Sequence, residues 1–84
     1  MHEYFFTFSS VTAAQHAQLI LSRHQIVTEL TRMPKRFSPL GCSNALRVRY
    51  EDARSAAKVL RVTRVFPNHI IKIDSNGNAG EVYL

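Results

Sequence analysis

The sequence predicts an α+β fold, a ferredoxin-like βαββαβ sandwich in which one antiparallel sheet carries two helices on one face. Two observations predict it. Each half of the 84-residue chain follows the order strand, helix, strand, and a proline-punctuated segment, residues 34–47, joins the halves. An Asn-Gly turn near the C-terminus adds a hairpin. A chain of this length has room for one core, so we expect a single domain over residues 1–84.

The first half begins with an aromatic-rich strand over residues 3–8. Aromatic side chains occur on both of its faces, which is typical of a well-buried strand. They are Tyr4, Phe6 and Phe8 on one face and Phe5 on the other.

A helix is expected to follow, because Ser9 and Ser10 offer an N-cap hydroxyl before Val11. Its apolar stripe is predicted from helical spacing and consists of Ala13, Ala17, Ile20, Leu21 and His24. The short β-branched run from Ile26 to Met33 predicts the second strand, which Pro34 ends.

The second half begins with a clean alternation from Asn44. Leu46, Val48 and Tyr50 face one way, and arginines face the other, which predicts a half-buried antiparallel strand. Acidic residues 51 and 52 favour the start of the next helix. Its apolar stripe is predicted to be Ala53, Ala56, Ala57 and Leu60.

Pro67 and Asn68 are expected to end this helix, and a strand follows over residues 69–74. The turn Ser75-Asn76-Gly77-Asn78 then leads to a short final strand over residues 81–84. The predicted elements place one core between sheet and helices, containing Ala17, Leu21, Leu46, Val48, Ala56 and Leu60.

Composition excludes several classes of protein. One cysteine cannot form an internal disulfide framework, and no apolar run approaches the ~20 residues of a membrane span. The start of the chain lacks the pattern of a signal peptide, so we expect a cytoplasmic protein. The net charge of +5 indicates either a solvated basic surface or attraction to an anionic partner.

Cys42 is the main candidate for chemistry. It follows Gly41 in a loop, although a free cysteine is also often a small buried hydrophobe. Lys35, Arg36 and Arg47 are near in sequence and would favour the nucleophilic thiolate if they are near in space. A thiolate can attack a persulfide and hold one extra sulfur or selenium atom.

Other site chemistries have weaker support. The four histidines lack the spacing of metal ligands, and no cofactor is expected. His69 could act as a base for Cys42. A sheet with surface aromatics can stack RNA bases, but residues 44–50 lack the glycine- and aromatic-rich signature of such domains. The aromatics are therefore expected to be core. The alternative function is a small basic interaction or nucleic-acid-binding module in which Cys42 is only structural.

Several segments resemble a family of small bacterial proteins of the DUF3343 type, selenium/sulfur carrier-like proteins. The first is the strand and cap of residues 3–10; the second is Met33-Pro34-Lys35-Arg36; the third runs from Cys42 to Val48. The similarity extends to about Ile73. The family has glycine directly after the cysteine, whereas this chain has Ser43.

The resemblance implies a carrier rather than an enzyme. Cys42 would hold sulfur or selenium as a persulfide-type adduct and exchange it with donor and acceptor proteins. The residues expected to surround it are Lys35, Arg36, Gly41, Ser43, Asn44 and Arg47.

Overall fold

A computed structural model describes residues 2–33 and 44–84. It is an α+β structure with two helices and a five-stranded antiparallel sheet. The strands are β1 (Glu3–Phe8), β2 (Thr28–Arg32), β3 (Asn44–Val48), β4 (His69–Ile73) and β5 (Ala79–Glu81). The helices are α1 (Val11–Arg23) and α2 (Ala53–Val62), and a 3₁₀ turn over Tyr50–Asp52 precedes α2.

The sheet has the strand order β2-β3-β1-β4-β5, so β1 lies at its centre. Phe6 on β1 pairs with Leu46 on β3 and with Ile70 on β4. Leu46 also pairs with Leu30 on β2. The aromatic strand therefore has a neighbour on each side, as its burial on both faces requires.

The main core lies between the sheet and the helices. Its members come from β1, α1, β3 and α2, and burying such side chains is the dominant stabilising term in folding. The buried residues are Tyr4, Phe6, Phe8, Ala14, Ala17, Leu21, Ile26, Leu46, Val48, Ala53, Ala56, Ala57 and Leu60. All six residues predicted to share one core are among them, so that prediction is confirmed.

A second cluster lies on the opposite face of the sheet. It contains Phe5, Met33, Ala45 and Ile71, with Ile73 packed beside them. Alternate side chains of β1 therefore lie on opposite faces of the sheet, as predicted, with three aromatics toward the helices and Phe5 away from them.

The predicted bounds of β2 were wrong at its start. The strand begins at Thr28 because the chain turns at Gln25, which has a positive φ of 60°. The N–H of Ile26 donates to the carbonyl of Leu21 and closes that turn. Ile26 thus belongs to the helix end. His24 is exposed there, and Ala14 takes a place in the buried stripe that the sequence did not predict.

The ends of β3, α2 and β5 also differ from prediction. Tyr50 leaves the strand, is exposed and begins the 3₁₀ turn. The second helix ends at Val62, before Pro67, because Arg64 has a positive φ of 60°. The last strand is Ala79–Glu81 rather than residues 81–84, since the hairpin closes where Asp74 N–H donates to the carbonyl of Asn78.

The hairpin between β4 and β5 depends on the Asp74 carboxylate. Its Oδ1 accepts hydrogen bonds from the N–H groups of Asn76 and Asn78, at 2.9 and 3.0 Å. Gly77 has a positive φ of 83°, which glycine adopts without strain. These main-chain hydrogen bonds, above all the one from Asn78, hold the pKa of Asp74 below its ordinary value.

We expect Asp74 to titrate below the range of an unstructured aspartate. The folded pKa is depressed, so its contribution to stability is present above the unfolded pKa and is lost as pH falls through the folded one. The amide NMR shifts of Asn76 and Asn78 should report this titration, and Asp74→Asn should abolish it. A midpoint at or above the ordinary aspartate value would contradict the hydrogen-bonded turn.

Candidate functional site

The described residues stop at Met33 and resume at Asn44, and both residues lie at one end of the sheet. Asn44 pairs with Phe8 on β1 and with Arg32 on β2. On the other side of β1, His69 pairs with Thr7. We call this the Asn44 end, and the opposite end, where β1 begins, the Glu3 end.

Most of the predicted site residues fall between these two points. Lys35, Arg36, Gly41, Cys42 and Ser43 lie outside the described residues, so their roles stay predictions. Asn44 is the first residue of β3 and is partly buried.

Arg47 lies toward the Glu3 end, on the sheet face opposite the helices. Its guanidinium contacts the carboxylate of Glu3 on β1 at 3.0 Å and that of Glu29 on β2 at 2.8 Å. Three strand residues, or about 10 Å along β3, separate it from Asn44. Arg47 thus has two anionic partners, and its predicted place beside Cys42 stays a prediction.

The sequence analysis missed these ion pairs. They join three neighbouring strands. Glu29 lies directly opposite Arg47, and Glu3 lies two residues before Phe5, the residue of β1 that pairs with Arg47. Opposite charges on one face of adjacent strands indicate such ion pairs, but this pattern can be recognised only once the strand order is known.

His69 is the described histidine nearest along the sheet to Asn44. Its Nδ1 lies 2.6 Å from Oε2 of Glu81, and its main-chain N–H donates to the hydroxyl of Thr7 at 3.1 Å. A carboxylate at Nδ1 orients an imidazole and leaves Nε2 to accept a proton when the ring is neutral. The pair can therefore act as an oriented base at this end of the sheet.

Charge is distributed unevenly between the two ends. Five of the six carboxylates in the chain lie at the Glu3 end, namely those of Glu3, Glu29, Glu51, Asp52 and Asp74. The sixth, Glu81, pairs with His69. At the Asn44 end, Arg32, Arg61 and Arg64 have no salt bridge to a carboxylate within residues 2–33 and 44–84.

A pocket of about 440 Å³ lies at the Glu3 end, at the opposite end of the sheet from Asn44. His2, Thr28 and Tyr50 line it together with the ion-paired Arg47. Across the described residues, no group of three or more His, Cys, Asp or Glu side chains could hold a metal ion.

The aromatic side chains of β1 are not available to nucleic acid. Tyr4 is 9% exposed, and Phe6 and Phe8 are more deeply buried against the helices. They are core residues, as expected, so the described sheet lacks the exposed stacking platform of RNA-recognition domains. In the part of the chain that the structure describes, no helix is long and apolar enough to cross a membrane.

Comparison with known families identifies one match. A family profile described as "Putative Se/S carrier protein-like" matches residues 3–72. This span begins at β1, includes Cys42 and ends within β4. No curated protein and no solved structure matches the chain. Because the profile covers most of its length, the chain belongs to this selenium/sulfur carrier-like family.

Proposed function

We propose that the protein carries sulfur or selenium on Cys42 as a persulfide-type adduct and passes it to a partner protein. Membership of the carrier-like family is the observation that carries this proposal, because the matched residues 3–72 contain the chain's one cysteine. The covalent chain supports a location of the adduct near the Asn44 end. Cys42 precedes Asn44 by two residues, so about 7 Å of chain at most separates their Cα atoms.

The transfer needs no oxidant beyond the donor. The Cys42 thiolate attacks the outer sulfur of a donor persulfide, a bond forms between the two sulfur atoms, and the donor's own sulfur–sulfur bond breaks. The donor leaves as a thiolate and takes up a proton, while Cys42 retains the outer sulfur as a persulfide anion. An acceptor thiolate then attacks that outer sulfur and releases the Cys42 thiolate. Selenium follows the same steps.

The electrostatics of the Asn44 end support the anionic forms of this cycle. Strand β1 ends there at Phe8, and α1 begins at Val11, so the positive end of the helix dipole lies at that end. Ser10 caps the helix through a hydrogen bond from Ala13 N–H to its hydroxyl at 3.1 Å, and the first turn has no acidic residue. Arg32 adds a cation at the same end.

The remaining parts of the proposal follow from this role. The protein acts as a carrier between donor and acceptor proteins in the cytoplasm and is not itself an enzyme. We also propose that it is one domain of ferredoxin-like type with an added strand. The central order β2-β3-β1-β4, with both helices contributing to one core, supports that classification.

Mass spectrometry of the intact protein tests the function. After incubation with inorganic polysulfide as a sulfur donor, the wild-type protein should gain the mass of one sulfur atom, and a thiol reductant should remove it. Cys42→Ser is the matched control and should gain nothing. The adduct should also pass to a low-molecular-weight thiol acceptor.

Two results would contradict the carrier function. One is a wild-type protein that gains no sulfur under conditions in which a free cysteine model compound does. The other is an equal gain by Cys42→Ser. Absence of the adduct together with strongly salt-dependent retention on heparin would favour the alternative, a basic module in which Cys42 is structural.

A further inference from the structure

The outer face of α2 is a row of cations. Arg54, Lys58 and Arg61 recur at spacings of four and three residues, so they share one side of the helix, and all three are exposed. Arg64 follows the helix end and is also exposed. We call these four residues the α2 basic row. The first and third lie about 10 Å apart along the helix axis.

Within the described chain, no Asp or Glu side chain forms a salt bridge with this row. The salt bridges among residues 2–33 and 44–84 involve other cations, namely Arg47, Arg49 and His69. Arg61 donates a hydrogen bond to the main-chain oxygen of Leu84. Like charges at these helical spacings repel one another and destabilise the helix. An anionic partner would relieve that repulsion.

Apolar side chains lie beside the row. Val62 is 73% exposed and Phe66 is 66% exposed, and both are large hydrophobic residues. Next to Phe66, a groove of about 270 Å³ runs between α2 and the C-terminal residues. Besides Phe66, its apolar lining is Ala57, Leu60, Pro67, Ile70, Val82, Tyr83 and Leu84, and the charged side chains of Arg61 and Glu81 also line it.

The groove has the size of a side-chain site. Its volume falls below the range of roughly 300–1,000 Å³ in which drug-sized ligands and cofactors bind. Protein interfaces combine such an apolar centre with a charged rim. The groove and the α2 basic row together therefore match a protein segment that is acidic and presents one apolar side chain.

We propose that the α2 basic row and the adjoining groove form a docking surface for an acidic segment of a partner protein. The proposal rests on the proposed function, since it specifies the chemistry of the donor or acceptor protein. Because α2 runs from the Glu3 end to the Asn44 end, the row leads toward the Asn44 end. Cys42 precedes Asn44 by two residues in the chain.

The test uses three defined probes. The first is a synthetic helical peptide with glutamates at i, i+4 and i+7 beside one leucine, and the second has glutamines in place of the glutamates. The third is a single-stranded RNA of mixed sequence. Amide NMR shifts of the full chain measure each dissociation constant and show which residues are contacted.

The acidic peptide should shift the amides of α2 and Phe66 and bind about tenfold more tightly than the glutamine peptide or the RNA. Raising the salt concentration should weaken this binding. Arg54→Gln with Lys58→Gln should weaken it about fivefold or more, and so should Phe66→Ala through the groove. The matched pair Arg23→Gln with Arg49→Gln removes two exposed cations outside α2 and should change it less than about twofold.

Three outcomes would overturn the proposal. They are shifts that avoid α2, equal weakening by the two double variants, and tighter binding of the RNA than of the acidic peptide. Loading of Cys42 from inorganic polysulfide needs no docking, so mass spectrometry on the same variants separates the two ideas. For Arg54→Gln with Lys58→Gln, both ideas predict weaker docking with the sulfur adduct retained. A wild-type protein that gains the adduct but does not bind the acidic peptide at α2 refutes the surface alone, whereas one that binds the peptide but gains no adduct refutes the carrier chemistry alone.

Discussion

Replacing Leu21 with alanine is expected to lower the free energy of unfolding by about 2–5 kcal/mol. Leu21 is fully buried between α1 and the sheet. The substitution removes three carbons from a packed core and leaves a cavity that the surroundings fill only in part. Leu60 on α2 is 1% exposed and should behave in the same way. Chemical denaturation followed by circular dichroism measures the change.

The same helix supplies a matched control. Leu19 lies two residues earlier on α1 and is 51% exposed. Leu19→Ala removes the same atoms from a surface position, where substitutions usually change stability by no more than about 0.5 kcal/mol. Equal losses at the two positions, or an unchanged denaturation midpoint for Leu21→Ala, would show that the buried face of α1 is assigned wrongly.

Cys42 is expected to react with a thiol alkylator in the folded protein, and the reaction should depend on Lys35 and Arg36. Opposite charge within about 4–6 Å lowers a thiol pKa by about 1–3 units in reference cases, and by less where solvent intervenes. Each unit is worth up to about tenfold in thiolate concentration near neutral pH. Lys35→Gln and Arg36→Gln should therefore slow alkylation at neutral pH.

The alkylation rate at high pH separates ionisation from access. There the thiol is fully ionised in every variant, so the rates should converge. Arg23→Gln controls for loss of a distant cation, because Arg23 lies in the last turn of α1, at the other end of that helix from Ser10. Equal slowing at both pH values would mean altered access, and labelling only after denaturation would identify Cys42 as a core residue.

Local patterns in the sequence predicted two elements well. The run of aromatics in β1 defined its bounds, and the two-residue period of side chains along a strand assigned them to its two faces. The four-residue stripe of α2 was also correct, since its alanines and Leu60 repeat at helical spacing. In both cases the information lies within the element itself.

The errors have two sources, one local turn and one set of contacts between distant parts of the chain. The start of β2 depends on the left-handed turn at Gln25, a conformation that a glutamine in the sequence does not predict. The two partners of Arg47, Glu3 and Glu29, come from the strands on either side, and they are 26 residues apart in the chain. No local pattern reports which strands become neighbours.

The distribution of charge between the Asn44 end and the Glu3 end has a kinetic consequence. Strands β1 to β4 are about 17–20 Å long, more than twice the Debye length of about 8 Å at physiological salt, so an approaching protein feels each end separately. Among the described residues, carboxylates pair with Arg47 and Arg49 at the Glu3 end, whereas Arg32, Arg61 and Arg64 at the Asn44 end have no salt bridge to an Asp or Glu side chain. The acidic surface of a partner thus orients the molecule before contact, so that diffusional encounters begin at the Asn44 end.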